Sequence, residues 1–402
     1  MPGVRRNLLN GAAQGTYVSP RVEGREENQG RRSEINIDVD VDLFLLFVSH
    51  PDDRLRLSLT GSYGSHSVAV LGPATGHSLR RGGPLFRYVL RKLLRGALVI
   101  LLVTFMVVLL MGLAPGSVAT VILGESATPQ AVAELEREMG LDRSVLVQWF
   151  SWLGSALQGG LGTSPVTNQP VTSAIVERLP VTLEIAALAL FLALVIGVLL
   201  ATVAARQRPD SPLDRGINGL TSVFLAIPAF VAAPVLVYLL AVQTRVFPVT
   251  GWVPLSDGLG ANLRTAFLPA LCVALIEVAV FQRILRADLR TTLREDYVEA
   301  ARAKGLSGRY ILWRHAFRPA SFSLLTVAGV SLGRLVGGTV IVETFFSLPG
   351  LGQLVSTAVT SRDIVTVQGV VAFVAAAYVL INTLVDLGYE MLDPRVRLAG
   401  AR

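Results

Sequence analysis

Cysteine is almost missing from this chain: the lone Cys272 lies inside an apolar run, so no intrachain disulfide can form, and structural zinc lacks its usual thiolates. Histidine is scarce as well. His50, His66 and His77 fall in a polar N-terminal stretch and His315 in a basic loop, so no pair has the HxxxH spacing of a metal site. The only lysines are Lys92 and Lys304, and neither stands in the Gly-Lys-Ser/Thr sequence that a phosphate-binding loop requires. Charge is thin too: Asp, Glu, Lys and Arg make up 16% of the residues, against about 25% in soluble domains. What is abundant is apolar. Hydrophobic residues are 52% of the chain and mean hydropathy is +0.56, which makes a membrane protein the default reading. The formal net charge of +7 does not indicate a nucleic-acid partner, because the arginines cluster beside apolar runs instead of forming a polar face with interleaved aromatics.

Crossing ~30 Å of hydrocarbon takes about 20 apolar residues in a helix. Six runs meet or approach that length: 94–114, 181–205, 217–242, 266–285, 320–343 and 365–389. Glu277 and Gln282 interrupt the fourth, Arg334 the fifth, and Asn382 and Asp386 the sixth. Cations sit in alternate flanks. Arg80, Arg81, Arg87, Arg91, Lys92 and Arg95 precede the first run; Arg206, Arg208 and Arg215 separate the second from the third. A dense set from Arg283 to Arg318 separates the fourth from the fifth, and Arg395, Arg397 and Arg402 follow the sixth. The alternate loops are poorer in cations, with Arg245 and Arg264 in one and Arg362 in another, so the positive-inside rule puts both termini in the cytoplasm. Residues 1–84 are rich in Arg, Gly, Ser and acidic residues; they read as a disordered extension, or an artefact of start-site choice.

Between the first two runs, 116–177 form an outer loop with two amphipathic stretches. In the first, Thr128 is the N-cap, Pro129 the first helical residue and Gly140 the stop; the second, 144–157, carries Trp149 and Trp152 at helical spacing. The tryptophans suit the membrane interface, and the stretch either packs a small outer subdomain onto the bundle or contacts a partner directly.

The loop 295–319 carries the most information. Residues 295–304 read as a short helix, acidic in its first turn and basic in its last, as the helix dipole prefers. Gly305 supplies the left-handed stop, Leu306 an apolar contact and Ser307 the cap of a second helix. Ala300 and Ala301 make a flat face beside a carboxylate, suited to lying in another protein's groove.

Here the chain resembles a known family. Glu299-Ala300-Ala301, Gly305 and Pro319 look like the ATPase-docking EAA loop of ABC importer permeases. In the same order as the dipeptide/oligopeptide/nickel permeases come Leu113 to Gly116, Gly140 to Asp142, Gly160 to Ser164, Arg178 to Glu184, Val342 to Gly352 and Leu392 to Arg395. The resemblance covers 85–402. It implies an all-α membrane protein: a six-helix type I ABC importer transmembrane domain with an outer loop subdomain between helices 1 and 2. It divides the chain into the extension 1–84, a first transmembrane helix at 85–115, the outer loop 116–177 and a core at 178–395 holding the coupling loop 295–319. The implied role is non-enzymatic: translocating peptides, nickel or related small solutes across the inner membrane. A second homologous permease, two ABC ATP-binding subunits and an extracytoplasmic solute-binding protein would be its partners, with no cofactor in this chain, since ATP is bound by the partner subunits. The resemblance assigns coupling to Asp296, Glu299, Ala300, Ala301, Gly305 and Pro319.

Glu184, Glu277 and Arg334 lie at bilayer depth, where a charge costs ~2.5–3.5 kcal/mol on insertion scales and therefore faces the bundle interior. They either line the translocation path or pair structurally, with Arg334 neutralising a glutamate; pairing is favoured. Pro228 and Pro234 are expected to kink the third run, and Gly329, Gly333, Gly337 and Gly338 to allow close helix contact in the fifth. A proton-coupled carrier using Glu184 and Glu277 is the competing class, disfavoured because the halves show no self-similarity of the kind inverted repeats leave. A membrane scaffold would need neither the coupling loop nor buried charges.

Overall fold

The computed structural model describes residues 83–392, with side chains described over 89–388. Residues 83 and 84 already belong to the first helix, while residues 1–82 of the N-terminal extension and the cations after the last run lie outside the described residues. Within them the protein is helical, with a single isolated bridge between Thr163 and Pro170.

Five helices are long and apolar enough to span: α1 (Gly83–Leu113), α5 (Val171–Arg206), α8 (Leu259–Thr292), α10 (Gly308–Gly338) and α13 (Ile364–Leu392). Helices α2 (Val118–Leu123), α3 (Pro129–Glu138) and α4 (Val145–Leu157) fill the outer loop. At 36 residues, α5 is about 54 Å long at 1.5 Å per residue, so it projects well beyond the hydrocarbon.

The third run departs from the sequence expectation. It forms two helices, α6 (Pro212–Ala226) and α7 (Ala229–Leu236, running into a π turn at Val237–Val242), which meet at 111°. The cause is local. Pro228 pushes Ile227 into extended backbone (φ −92°, ψ 114°) and itself becomes the N-cap of α7, so the expected kink is a full break. Only if this bent pair counts as one crossing does the number of spans reach six.

The core forms chiefly where α5 meets α8. Ala186, Ala189, Ala193, Gly197 and Ala201 present a small-residue stripe to Val278, Phe281 and Leu285, all buried. A Cβ on Gly197 would sit 3.0 Å from the Phe281 Cβ and 3.3 Å from the Val278 carbonyl, so this approach depends on glycine. The same test sorts the glycines of α10. A Cβ on Gly329 would meet Val385 at 2.8 Å, one on Gly333 would meet Tyr378 at 3.2 Å and one on Gly337 would touch Val374 at 3.7 Å, whereas Gly338 faces open space and makes no close contact. Leu94, Leu98, Leu102 and Leu110 of α1 stay exposed, as a lipid-facing surface requires.

The outer loop docks back onto the bundle. Thr128 caps α3 by accepting from Ala131 N, and Gly140 ends its turn at φ +67°. The Trp149 indole donates to Thr104 Oγ of α1 at 3.1 Å and packs edge-on against Phe105, and Trp152 donates to the Leu161 carbonyl. Both indole N–H groups are therefore spent on packing.

Candidate functional site

The loop between α8 and α10 folds as a helical reversal. Helix α9 (Asp296–Ala303) has Asp296 and Glu299 in its first turn and Arg302 in its last. Gly305 closes it at φ +77°, with Gly305 N bonding Arg302 O and Leu306 N reaching back to Ala301 O. Ser307 then accepts from Tyr310 N and starts α10. One face of α9 is used inside the protein: Val298 and Ala301 are buried against Ile311, with Leu293 packed on them. Ala301 thus anchors the loop to its own bundle, and the flat alanine face is reduced to Ala300. Asp296, Glu299 and Ala300 remain exposed, as does Tyr297.

Pro319 contributes through the backbone. A proline inside a helix takes away a donor and crowds the carbonyl four residues earlier, here that of His315. The turn Ile311–Ala316 widens to π geometry just before it, and the Tyr297 hydroxyl of α9 donates to the His315 carbonyl at 3.4 Å. That bond joins α9 to the first turns of a spanning helix.

At the same end of the bundle stands a cluster that sequence reasoning missed. Asp214, 1% exposed on α6, accepts from Arg286 at 2.9 and 3.0 Å and forms an ion pair with Arg290 at 3.0 Å. Arg290 also donates to the Ala204 carbonyl, so this one residue ties α5, α6 and α8 together. Its separate signals were visible: Ser211-Pro212-Leu213-Asp214 is a helix start, and Arg286 and Arg290 share a face at i, i+4.

Of the three membrane-depth charges, two come together. Glu277, 3% exposed, receives Arg334 Nη2 at 2.8 and 2.9 Å and Ser331 Oγ at 2.7 Å, bridging α8 and α10. The Arg334 side chain is 48% exposed, so the buried carboxylate is neutralised from a surface-facing guanidinium. Glu184 stands apart on α5, partly buried and without a hydrogen-bond or ion-pair partner among the described residues.

Two sequence motifs also meet. Glu343 in α11 (Val340–Phe345) is fully buried; it accepts from Thr339 Oγ at 2.7 Å and from Gly352 N at 2.6 Å, at the start of α12 (Leu351–Thr360). Thr182 of α5 takes the neighbouring Leu351 N at 2.9 Å. A carboxylate and a hydroxyl from two different helices together satisfy the first two open N–H groups of α12, those of Leu351 and Gly352. Asp363 does the same for α13, accepting from Thr366 N while Ser164 of the outer loop donates to it at 2.6 Å.

Comparison with known proteins matches the sequence over most of its length. The model for the N-terminal part of binding-protein-dependent transport system membrane components matches residues 85–186, and that for binding-protein-dependent transport system inner membrane components matches 193–398. A protein of Brucella abortus named as a peptide transport system permease is 39% identical over 309 residues, covering 77% of this chain and 98% of its own. A peptide ABC transporter permease of Sinorhizobium fredii is 36% identical over 310 residues, covering 77% and 99%. The di/tripeptide transport system permease DppB of Pseudomonas aeruginosa is 34% identical over 316 residues, covering 73% and 94%. Among solved structures, the MetNI methionine ABC transporter gives a TM-score of 0.44 at 18% identity, over 55% of this chain and 96% of that one. The sequence matches over 85–186 and 193–398, carried on a bundle with a reversed helical loop at one end and neutralised charges in its interior, place this chain in the family of binding-protein-dependent transport system inner membrane components.

Proposed function

We propose that this chain is one of two similar membrane subunits of an ATP-driven peptide importer. Two ATP-binding subunits drive it from the cytoplasm and a solute-binding protein delivers its cargo from the outer side. The observation that carries this is α9: a short helix whose one face is buried on its own bundle and whose other face, with Asp296, Glu299 and Ala300, is left exposed at the end of two spanning helices. Closure of the ATP-binding subunits would push on that face, and Val298 and Ala301 would carry the push to Ile311 and α10. Peptide as the cargo is supported by the names of the relatives. ATP is held by the partners, since neither lysine here stands in a phosphate-binding loop.

Both termini face the cytoplasm in this reading, with the bent α6–α7 pair counted as one crossing. Glu184 faces the translocation path as an unpaired carboxylate at bilayer depth. The Glu277–Arg334 pair argues against a proton relay, because a carboxylate held by a guanidinium is poorly placed to cycle its proton.

Co-purification tests the docking. Glu299→Arg reverses a charge on the exposed face, and Val298→Ala loosens the buried one. The first is expected to release the ATP-binding subunits from a normally inserted chain; the second is expected to keep them bound while uncoupling ATP hydrolysis from transport. Full retention and normal transport in both variants would overturn the assignment.

A further inference from the structure

Where α5 ends, α8 ends and α10 begins, the bundle leaves an open cleft of about 340 Å³. Four arginines line it: Arg206, Arg290, Arg294 and Arg302. No acidic residue does. Arg290 shares Asp214 with Arg286, but Arg206, Arg294 and Arg302 pair with no carboxylate among the described residues. Arg290 also keeps a buried Nε–H without a partner. Gly308 completes the wall, and it opens a 31-residue helix whose first N–H groups lack intrahelical acceptors. Ile311 and Leu312 form an apolar floor.

Four arginines gathered around one concavity outnumber the single carboxylate, Asp214, that pairs with any of them; Glu295 and Asp296 stand with Arg290 and Arg294 on the adjoining groove, and a helix N-terminus adds to the positive field of the cleft. Such a site is completed by a group with several acceptor oxygens and a negative charge, and the arginine fork matches phosphate geometry. We propose that this cleft binds the phosphate group of an anionic ligand, and that its position at the ends of two spanning helices suits a phospholipid headgroup of the inner leaflet. The position rests on the loop's lying at the cytoplasmic face, as in the function proposed above. Arg302 belongs to α9 and Arg294 to the turn that follows α8, so a bound phosphate would fasten the coupling helix to the bundle. Its chemistry is remote from peptide and from ATP hydrolysis: it would set how stiffly α9 transmits a push.

The test uses the complete purified transporter, delipidated and then reconstituted in phosphatidylcholine with or without phosphatidylglycerol. Lipid retained per complex is measured alongside ATP-driven uptake. Arg294→Gln with Arg302→Gln removes two of the four guanidiniums; Arg215→Gln, an exposed arginine outside the cleft, is the control. At ~1 kcal/mol per basic side chain, the double variant is expected to bind phosphatidylglycerol about thirtyfold more weakly and to lose its stimulation by that lipid. The control should retain both. Stimulation by inorganic phosphate in pure phosphatidylcholine, lost in the double variant, would also support the site, with its phosphate coming from solution. Equal lipid retention and equal stimulation in all three proteins, with no effect of phosphate, would overturn it. So would loss of the ATP-binding subunits from the double variant with lipid retention unchanged, since an acidic partner segment would then be the occupant. Lipid retention does not require transport, so failure of the importer reading and failure of this site are distinguishable.

Discussion

Replacing Arg334 with alanine removes the only cation among the described residues that holds Glu277, and the cost can be worked from the geometry. Glu277 is 3% exposed and would keep a single donor, Ser331 Oγ. Breaking a buried ion pair from one side costs about 3–5 kcal/mol, because an uncompensated charge is left behind. Half of the Arg334 side chain is exposed, which places the expected loss at the lower end, about 3 kcal/mol. Glu277→Gln keeps the shape, retains hydrogen bonding and removes the charge, and is expected to cost about 1 kcal/mol. Because the neutral amide of Glu277→Gln no longer needs the guanidinium, the double variant should lose only about 1–2 kcal/mol, well short of the sum of the singles. Unfolding of the purified transporter, titrated with denaturing detergent and followed by tryptophan fluorescence, measures all four corners of this cycle. Additive losses would refute the pairing. So would an Arg334→Ala variant of normal stability whose preference between free and amidated peptides has changed, since Arg334 would then be serving cargo instead of Glu277.

Gly352→Ala places a Cβ 2.3 Å from the backbone of Val340 and should prevent stable insertion, whereas Gly338→Ala meets nothing within 4 Å and should be silent; protease resistance of membranes expressing each distinguishes them. Glu343→Ala strips the start of α12 of one of its two acceptors and leaves Gly352 N buried and unpaired, for an expected loss of about 2–3 kcal/mol in the same denaturation assay. Trp149→Phe keeps the ring against Phe105 but loses the bond to Thr104, so a smaller loss of about 1 kcal/mol is expected, confined to docking of the outer loop and readable by hydrogen exchange across α3 and α4.

The parts of this architecture that follow from local rules were legible without coordinates. The spanning runs needed only length and hydropathy, and the reversal at Gly305 and Ser307 needed only cap chemistry, which acts within four or five residues. Pro228 shows where sequence rules end: they announce a disturbance at Ile227 and Pro228, but not that the chain turns through 111° there. Ala301 is a subtler case. Its inward position was written in the i, i+3 relation to Val298, yet the exposed and buried faces of an eight-residue helix cannot be told apart until Ile311 closes over one of them. Charge partners were the least legible. Glu277 and Arg334 are 57 residues apart and Asp214 and Arg286 are 72 apart, and no spacing rule reaches across helices. Glu343 was hidden for the same reason, because its role as the cap of α12 appears only when the chain between Phe346 and Gly350 folds back on it.

The most direct test of the central claim is ATP-dependent peptide uptake by sealed vesicles holding this chain with its partner subunits, comparing the native loop with Gly305→Pro plus Glu299→Arg. Gly305 at φ +77° cannot accept a proline ring, and Glu299 lies on the exposed face, so the pair destroys both the shape and the charge of α9 while leaving the spanning helices unaltered in sequence. The account expects uptake that requires ATP in the native assembly, and its loss together with the ATP-binding subunits in the altered one. Uptake that continues without ATP and collapses with the proton gradient would contradict it.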